Sequence, residues 1–259
     1  MCARKPPAKG FRVGLRGTWQ KSCFDTALFT VLAGVLMARV IVFDVNETLL
    51  DLRGLDPHFA RVFGAADVRK EWFSQVVRSA LVATVTNVYS DFSTIGGAAL
   101  EMTAKRHEIS LTTDDRADIL GAIRKLAPHA DVRESLTRLR DAGLRLAAFT
   151  NSTAKVVETQ LENVDLHRYF EQILSADWVH RLKPAPEAYR MAAQRLGVTT
   201  ADLRMVAAHD WDIIGALRAG CAAAFVARPG MVLDPLAEQP DIVGADLRMV
   251  AHHILEAER

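Results

Sequence analysis

The stretch Val40-Ile41-Val42-Phe43-Asp44-Val45-Asn46-Glu47-Thr48-Leu49 decides the fold. Four consecutive β-branched or aromatic residues read as a strand buried on both faces, the pattern of a parallel sheet. Asp44 ends that run. A carboxylate directly after a buried strand is held by the rigid sheet, at the end where open α/β sheets bind their ligands. The following turn is expected to aim backbone N–H groups at Asp44 and keep it ionised as a nucleophile, with the Thr48 hydroxyl orienting it. Capping the next helix is the competing use of Asp44.

Outward from this stretch, apolar runs at 144–149, 172–174, 205–208 and 222–226 predict four more strands. Amphipathic patterns at 132–141, 153–164, 186–196, 212–219 and 246–257 predict helices between and after them. Gly143, Gly197 and Gly220 stand where helices stop, and Pro186 where one starts. Such alternation predicts an α/β fold, a Rossmann-like doubly wound parallel sheet. Helical patterns at 57–63, 68–91, 93–107 and 113–125 interrupt it without a buried strand, as an inserted all-helical cap would. The expected division is a core of residues 37–54 and 128–259, a cap of residues 55–127, and an N-terminal extension of residues 1–36 outside the fold.

At 259 residues, with 50% hydrophobic and 24% charged residues, the chain is long and apolar enough to bury a full core, which excludes global disorder. Lys+Arg 32 against Asp+Glu 31 leaves a net charge of +1 and no basic excess for nucleic acid. The charge is unevenly spread. Residues 1–36 hold Arg4, Lys5, Lys9, Arg12, Arg16 and Lys21 against Asp25 alone, whereas the remainder is net acidic. Cys2 and Cys23 also lie in this leader, so Cys221 has no internal disulfide partner in the body, which reads as intracellular, a cytoplasmic protein. The basic leader and its apolar run 27–36 resemble a signal peptide. Arg39 interrupts the apolar run short of the ~20 residues that a membrane span needs. Met37 is the expected natural start, with a targeting segment as the alternative.

The remaining chemistry-bearing residues also fall at predicted strand ends. Thr150-Asn151-Ser152 offers small polar groups for a substrate carboxylate or phosphate, or a helix cap. In Lys183-Pro184-Ala185-Pro186-Glu187-Ala188-Tyr189, the prolines fix where Lys183 points. Ala207-Ala208-His209-Asp210-Trp211-Asp212 places an acid and a histidine at a strand end, as activation of a water would need.

Taken in order, Asp44-x-Asn46-x-Thr48, Thr150-Asn151, Lys183-Pro184 and Asp212 resemble the haloacid dehalogenase superfamily over residues 40–255. For its magnesium-dependent phosphatases the resemblance implies a second Asp two residues after the nucleophile and an acidic ligand four residues before Asp212. Asn46 and Ala208 occupy those positions. The pattern is similar to the metal-free type II 2-haloacid dehalogenases. That resemblance implies displacement of halide by Asp44, hydrolysis of the resulting ester to a 2-hydroxy acid, and no metal or cofactor. It further implies that Lys183 offsets the charge of Asp44, Thr150 and Asn151 bind the carboxylate, and Asp212 positions water or Lys183. Tyr189 matches a tyrosine of the branch, and the only partners implied are the small carboxylate substrate and a second subunit. Three positions depart. Phe73, after Trp72, stands where an arginine holds halide and carboxylate, with Arg69 and Arg78 one turn away; Phe73 favours a larger group beside the α-carbon. Ala207 and His209 stand where the branch has a serine and an asparagine, His209 as water-orienting group, base or structural residue. A phosphatase or phosphonate-type hydrolase and a non-catalytic binding protein are the alternatives.

Overall fold

The structure, a computed structural model, describes residues 39–258; the expected N-terminal extension lies outside them. Val40–Phe43 forms β1, with every side chain at most 1% exposed. It pairs in parallel with β2 (Leu146–Thr150) and β4 (Leu203–Ala207). β3 (Gln172–Ser175) extends the sheet beyond β2. β5 (Ala222–Val226) and β6 (Ile242–Gly244) extend it beyond β4. The order is β3-β2-β1-β4-β5-β6, all parallel. The chain thus builds one half outward from β1 and then returns to build the other half from β4. Right-handed crossovers place the helices that follow β1 and β2 on one face and those that follow β3 and β4 on the other, and a crevice opens at the carboxyl ends of β1 and β4. Asp44 and His209 follow those two strands.

Between β1 and β2 the chain forms α1 (Asp56–Phe63), α2 (Val68–Thr86), α3 (Phe92–Arg106) and α4 (Thr113–Ala122), then α5 (Val132–Asp141). The first four make the cap. The chain leaves and re-enters the core side by side, with Asp51 N donating to the Ala127 carbonyl and His129 N to the Leu49 carbonyl, both at 2.9 Å. Phe59, Trp72 and Ile119 of the cap join Leu49 and Leu52 in one apolar cluster, so the cap is packed on the core by hydrophobic burial. α6 (Ala154–Asn163), α7 (Pro186–Leu196), α8 (Asp210–Arg218) and α9 (Leu247–Ala257) complete the core.

Several boundaries differ from those expected. The α2 helix stops at Thr86 rather than running to residue 91, because Asn87 adopts a left-handed conformation (φ 58°) and caps it. The fourth strand starts earlier, at Leu203, and includes Arg204. This charged side chain is 1% exposed and is neutralised by Asp241 at 2.6 Å and Glu258 at 2.8 Å. The second strand begins at Leu146, since Leu144 and Arg145 carry the chain from Gly143 up to the sheet edge. The three-residue β6 was not expected: it is too short to show an alternation. The α8 helix starts two residues earlier than expected, at Asp210, which puts Asp212 inside its first turn rather than at its start.

Candidate active site

The sheet brings Asp44, Thr48, Lys183 and Asp212 together. Asp44 Oδ2 accepts from the Thr48 hydroxyl at 2.8 Å, and Asp44 Oδ1 from Lys183 Nζ at 2.9 Å. Backbone donors of the turn do not reach this carboxylate, in contrast to the expectation. Three of them are used within the turn: Glu47, in a left-handed conformation (φ 64°), donates its N–H to the Leu50 carbonyl, and Leu49 and Leu50 donate to the Val45 carbonyl. Ala208 N, at the end of β4, donates to Thr48 Oγ1 at 3.0 Å. The hydroxyl proton of Thr48 is thereby directed at Asp44.

Lys183 Nζ places all three of its protons, on Asp44, on Asp212 Oδ2 at 2.6 Å and on the Phe149 carbonyl at 3.0 Å. The side chain is 0% exposed. Burial by itself lowers the lysine pKa, but Asp212 and Asp44 outweigh it and hold the value above that of an ordinary lysine. Asp212 lies equally buried, and burial raises its pKa while the ammonium pulls it down. Tyr189 donates its hydroxyl to Asp212 Oδ1 at 2.6 Å, and burial beside that carboxylate pushes the phenol well above its usual range. Tyr189 and Pro184 approach α8 closely at Gly215, where a Cβ would stand 2.5 Å from each side chain.

Asn151 faces Lys183. Its Oδ1 accepts the Lys183 N–H at 2.7 Å and its Nδ2 donates to the Lys183 carbonyl at 3.1 Å, so the amide fixes the lysine backbone rather than capping α6. Thr150, 2% exposed, accepts the Ser152 N–H at 3.1 Å. His209 is 6% exposed and its Nε2 is buried without a hydrogen-bond partner. Its ring lies between Trp211, stacked at 5.2 Å, and Phe73 of the cap at 5.5 Å. Burial lowers the His209 pKa against the pull of Asp44 and Asp212, which favours the neutral imidazole.

The two arginines near Phe73 are otherwise placed. Arg78 is exposed. Arg69 is buried but committed to Asp56 at 2.5 Å and Glu47 at 3.4 Å. Two further residues bear on the site and carried no motif. Arg228 donates through Nη2 to the Thr48 carbonyl at 2.9 Å and pairs with Asp131 at 2.6 Å. Its place just after β5, at the ligand-binding end of the sheet, was the available signal. Arg124 lines a cavity under the cap and has no side-chain hydrogen bond or ion pair among the described residues.

A magnesium ion does not fit these donors. The Lys183 ammonium occupies the space between the two carboxylates, Ala208 offers a methyl group, and the Asn46 amide is bound to Ser152 and Gln160. Hard dications require several oxygen ligands. Glu47, Asp51 and His129 also gather ligand-type atoms, but the two carboxylates are paired with Arg69 and Arg53.

Residues 41–226 match the family model described as haloacid dehalogenase-like hydrolase. The chain is similar to (S)-2-haloacid dehalogenase 2 of Pseudomonas sp. (strain CBS-3), with 27% identity over 79% of this chain and 90% of the relative. It is also similar to the (S)-2-haloacid dehalogenase of Pseudomonas sp. (strain YL), with 26% identity over 81% and 91%. Among solved structures, the L-2-haloacid dehalogenase from Xanthobacter autotrophicus with chloropropionic acid covalently bound superposes with a TM-score of 0.79. It covers 84% of this chain and 98% of that one at 23% identity, and shares the fold.

Proposed function

The chain belongs to the haloacid dehalogenase-like hydrolase family, and from that premise we propose that it hydrolyses the carbon–halogen bond of 2-haloacids through an ester on Asp44. The observation that carries this reading is Asp44 itself: a carboxylate held by Thr48 and Lys183, with Asn46, which cannot transfer a proton, two residues on. A nucleophile needs such orientation; a phosphatase would also need the acid that Asn46 replaces and the ligand that Ala208 replaces.

Asp44 attacks the α-carbon in line and expels halide, forming a carbon–oxygen bond as the carbon–halogen bond breaks. Water then adds to the ester carbonyl of Asp44. The 2-hydroxy acid leaves, one proton is released to solvent, and the carboxylate is regenerated. No metal takes part, since the ammonium of Lys183 offsets the charge that a metal would otherwise neutralise. Asp212 and Tyr189 hold that ammonium. Thr150 and Asn151 border the substrate carboxylate, Phe73 the α-substituent, and neutral His209 orients water. Residues 55–127 act as a cap domain over this site. The same reading places the enzyme in the cytoplasm as a homodimer. Among the described residues no helix is long and apolar enough to cross a membrane.

The test is halide release from a panel of 2-chloro and 2-bromo acids with and without EDTA, alongside Asp44→Asn. Release that survives EDTA and falls by many powers of ten in the variant is expected. Release at wild-type rate from Asp44→Asn, checked by mass spectrometry for reversion to Asp, overturns the mechanism.

A further inference from the structure

Beside the nucleophile loop, cap and core enclose a cavity of about 180 Å³. Asn46, two residues beyond Asp44, and Ser152 form its polar side, joined by a hydrogen bond of 3.3 Å. Ser93 and Arg124 add two further polar groups, and the remaining lining is apolar, chiefly Trp72, Phe92, Leu120, Ile123 and Val156. Phe73 also lines it, and reaches the His209 ring on the core side. Apolar cavities of roughly 150 Å³ hold a benzene molecule, so there is room here for an aromatic ring.

Gly96 gives this space a purpose. It lies within α3 and lines the cavity. Glycine inside a helix is destabilising relative to alanine, so its presence calls for a reason. Crowding is not that reason: a Cβ at Gly96 would meet only Trp72 Cζ2 at 3.9 Å and Leu120 Cδ2 at 4.0 Å, ordinary contact distances. Positive φ is not the reason either, since Gly96 has none. The adjacent Gly97 differs, because a Cβ there would lie 2.6 Å from the Arg116 guanidinium. What a side chain at Gly96 would remove is cavity.

We infer that this cavity receives the substituent on the α-carbon and that the substrates are 2-halo acids bearing an apolar group the size of a phenyl ring. The inference rests on the proposed dehalogenase reading and names its substrate class. Burial of a ring in a preformed apolar cavity favours such acids over haloacetates, which leave the space unfilled.

Two measurements test it. Calorimetry compares 3-phenylpropanoate with propanoate, neither of which carries a halogen, in wild type, Gly96→Ala and Gly96→Val. Wild type is expected to bind the phenyl acid about tenfold tighter or more, with the preference reduced in Gly96→Ala and lost in Gly96→Val. Gly96→Ala should also raise Tm, which separates a filled cavity from a damaged fold and keeps the test intact where the valine variant does not fold. Halide release then compares 2-bromo-3-phenylpropanoate with bromoacetate, and the kcat/KM ratio between them should fall in the same order. Equal binding of the two halogen-free acids by wild type overturns the inference, as does a preference untouched by both variants. Tight, Gly96-dependent binding of 3-phenylpropanoate without halide release from any 2-halo acid leaves the cavity assignment standing and overturns the dehalogenase reading instead.

Discussion

Lys183 Nζ lies 2.6 Å from Asp212 Oδ2, closer than the 2.9 Å to Asp44 Oδ1. The ammonium is therefore anchored by the residue that does not react and offered to the one that does. Asp212 keeps that place through Tyr189, so α7 and α8 together fix the cation that faces β1.

Removing the cation exposes this dependence. Lys183→Met leaves two carboxylates buried and unpaired, and breaking a buried ion pair from one side typically costs about 3–5 kcal/mol. The variant should be inactive and destabilised on that scale in urea unfolding. Lys183→Met combined with Asp212→Asn removes one of the stranded charges, so it should recover part of the stability and none of the halide release. A single variant as stable and active as wild type would show that the ammonium contributes to neither.

Arg228 acts one step further from the chemistry. Its guanidinium holds the Thr48 carbonyl while Asp131 accepts both Arg228 Nη1 and Leu247 N, tying the nucleophile loop to α9. Arg228→Met should free the loop that aims the Thr48 hydroxyl. A misplacement of about 1 Å costs up to a hundredfold in rate, so kcat should fall by one to two powers of ten with a smaller change in KM. Arg228→Lys should restore little, because an ammonium lacks the planar fork that reaches both partners. Steady-state kinetics separate this from general destabilisation, which would lower the active fraction and leave KM and the pH profile of the remainder unchanged.

Stability should fall on the acid side of neutrality. Burial lowers the pKa of His209 and also that of His129, the latter with a further push from Arg228. In the unfolded chain both histidines take up protons as pH drops below about 6.5, while the folded chain does not until their lower folded values are reached. The fold is therefore fully favoured above that pH and loses stability below it, by at most about 1.4 kcal/mol per pH unit for each histidine. Urea midpoints at pH 7.5, 6.5 and 5.5 measure this slope, and His209→Gln should flatten it. An identical slope in the variant would mean that His209 protonates equally in both states.

How far the site was legible depended on whether each residue's task left a local mark. Asp44 directly follows an apolar run, Asp212 lies shortly after another, and Lys183 is followed by prolines, so their positions could be read before any contact was known. The parallel α/β core followed from the alternation of strands and helices, and the helical cap from its interruption. Arg204 hid a strand boundary because its neutralising partners, Asp241 and Glu258, are distant in sequence. The role of Asn151 was similarly hidden: small polar residues after a strand suit caps and ligands equally, and only the approach of the Lys183 backbone distinguishes a third use. Gly96 carries no motif at all, since a cavity is defined by residues from both sides of the chain's longest insertion.

The last expectation concerns the substrate carboxylate. Asp44 and Asp212 against Lys183 leave the site one negative charge in excess, and an anionic substrate adds another. A further cation must offset this, and Phe73 stands where the family resemblance implies one. Arg69 is occupied by Asp56 and Glu47 and Arg78 is exposed, whereas Arg124 lines the cavity with its guanidinium unpaired among the described residues. Arg124→Met should therefore raise KM for 2-halo acids about tenfold or more, the usual worth of a charge-assisted hydrogen bond. The carboxylate is equally charged in ground and transition states, so kcat should change much less. Phe73→Arg added to Arg124→Met should restore low KM for small acids while narrowing the cavity against large ones. An unchanged KM in Arg124→Met, measured at low ionic strength where screening is weakest, would show that the carboxylate is held by Thr150 and Asn151 without a guanidinium.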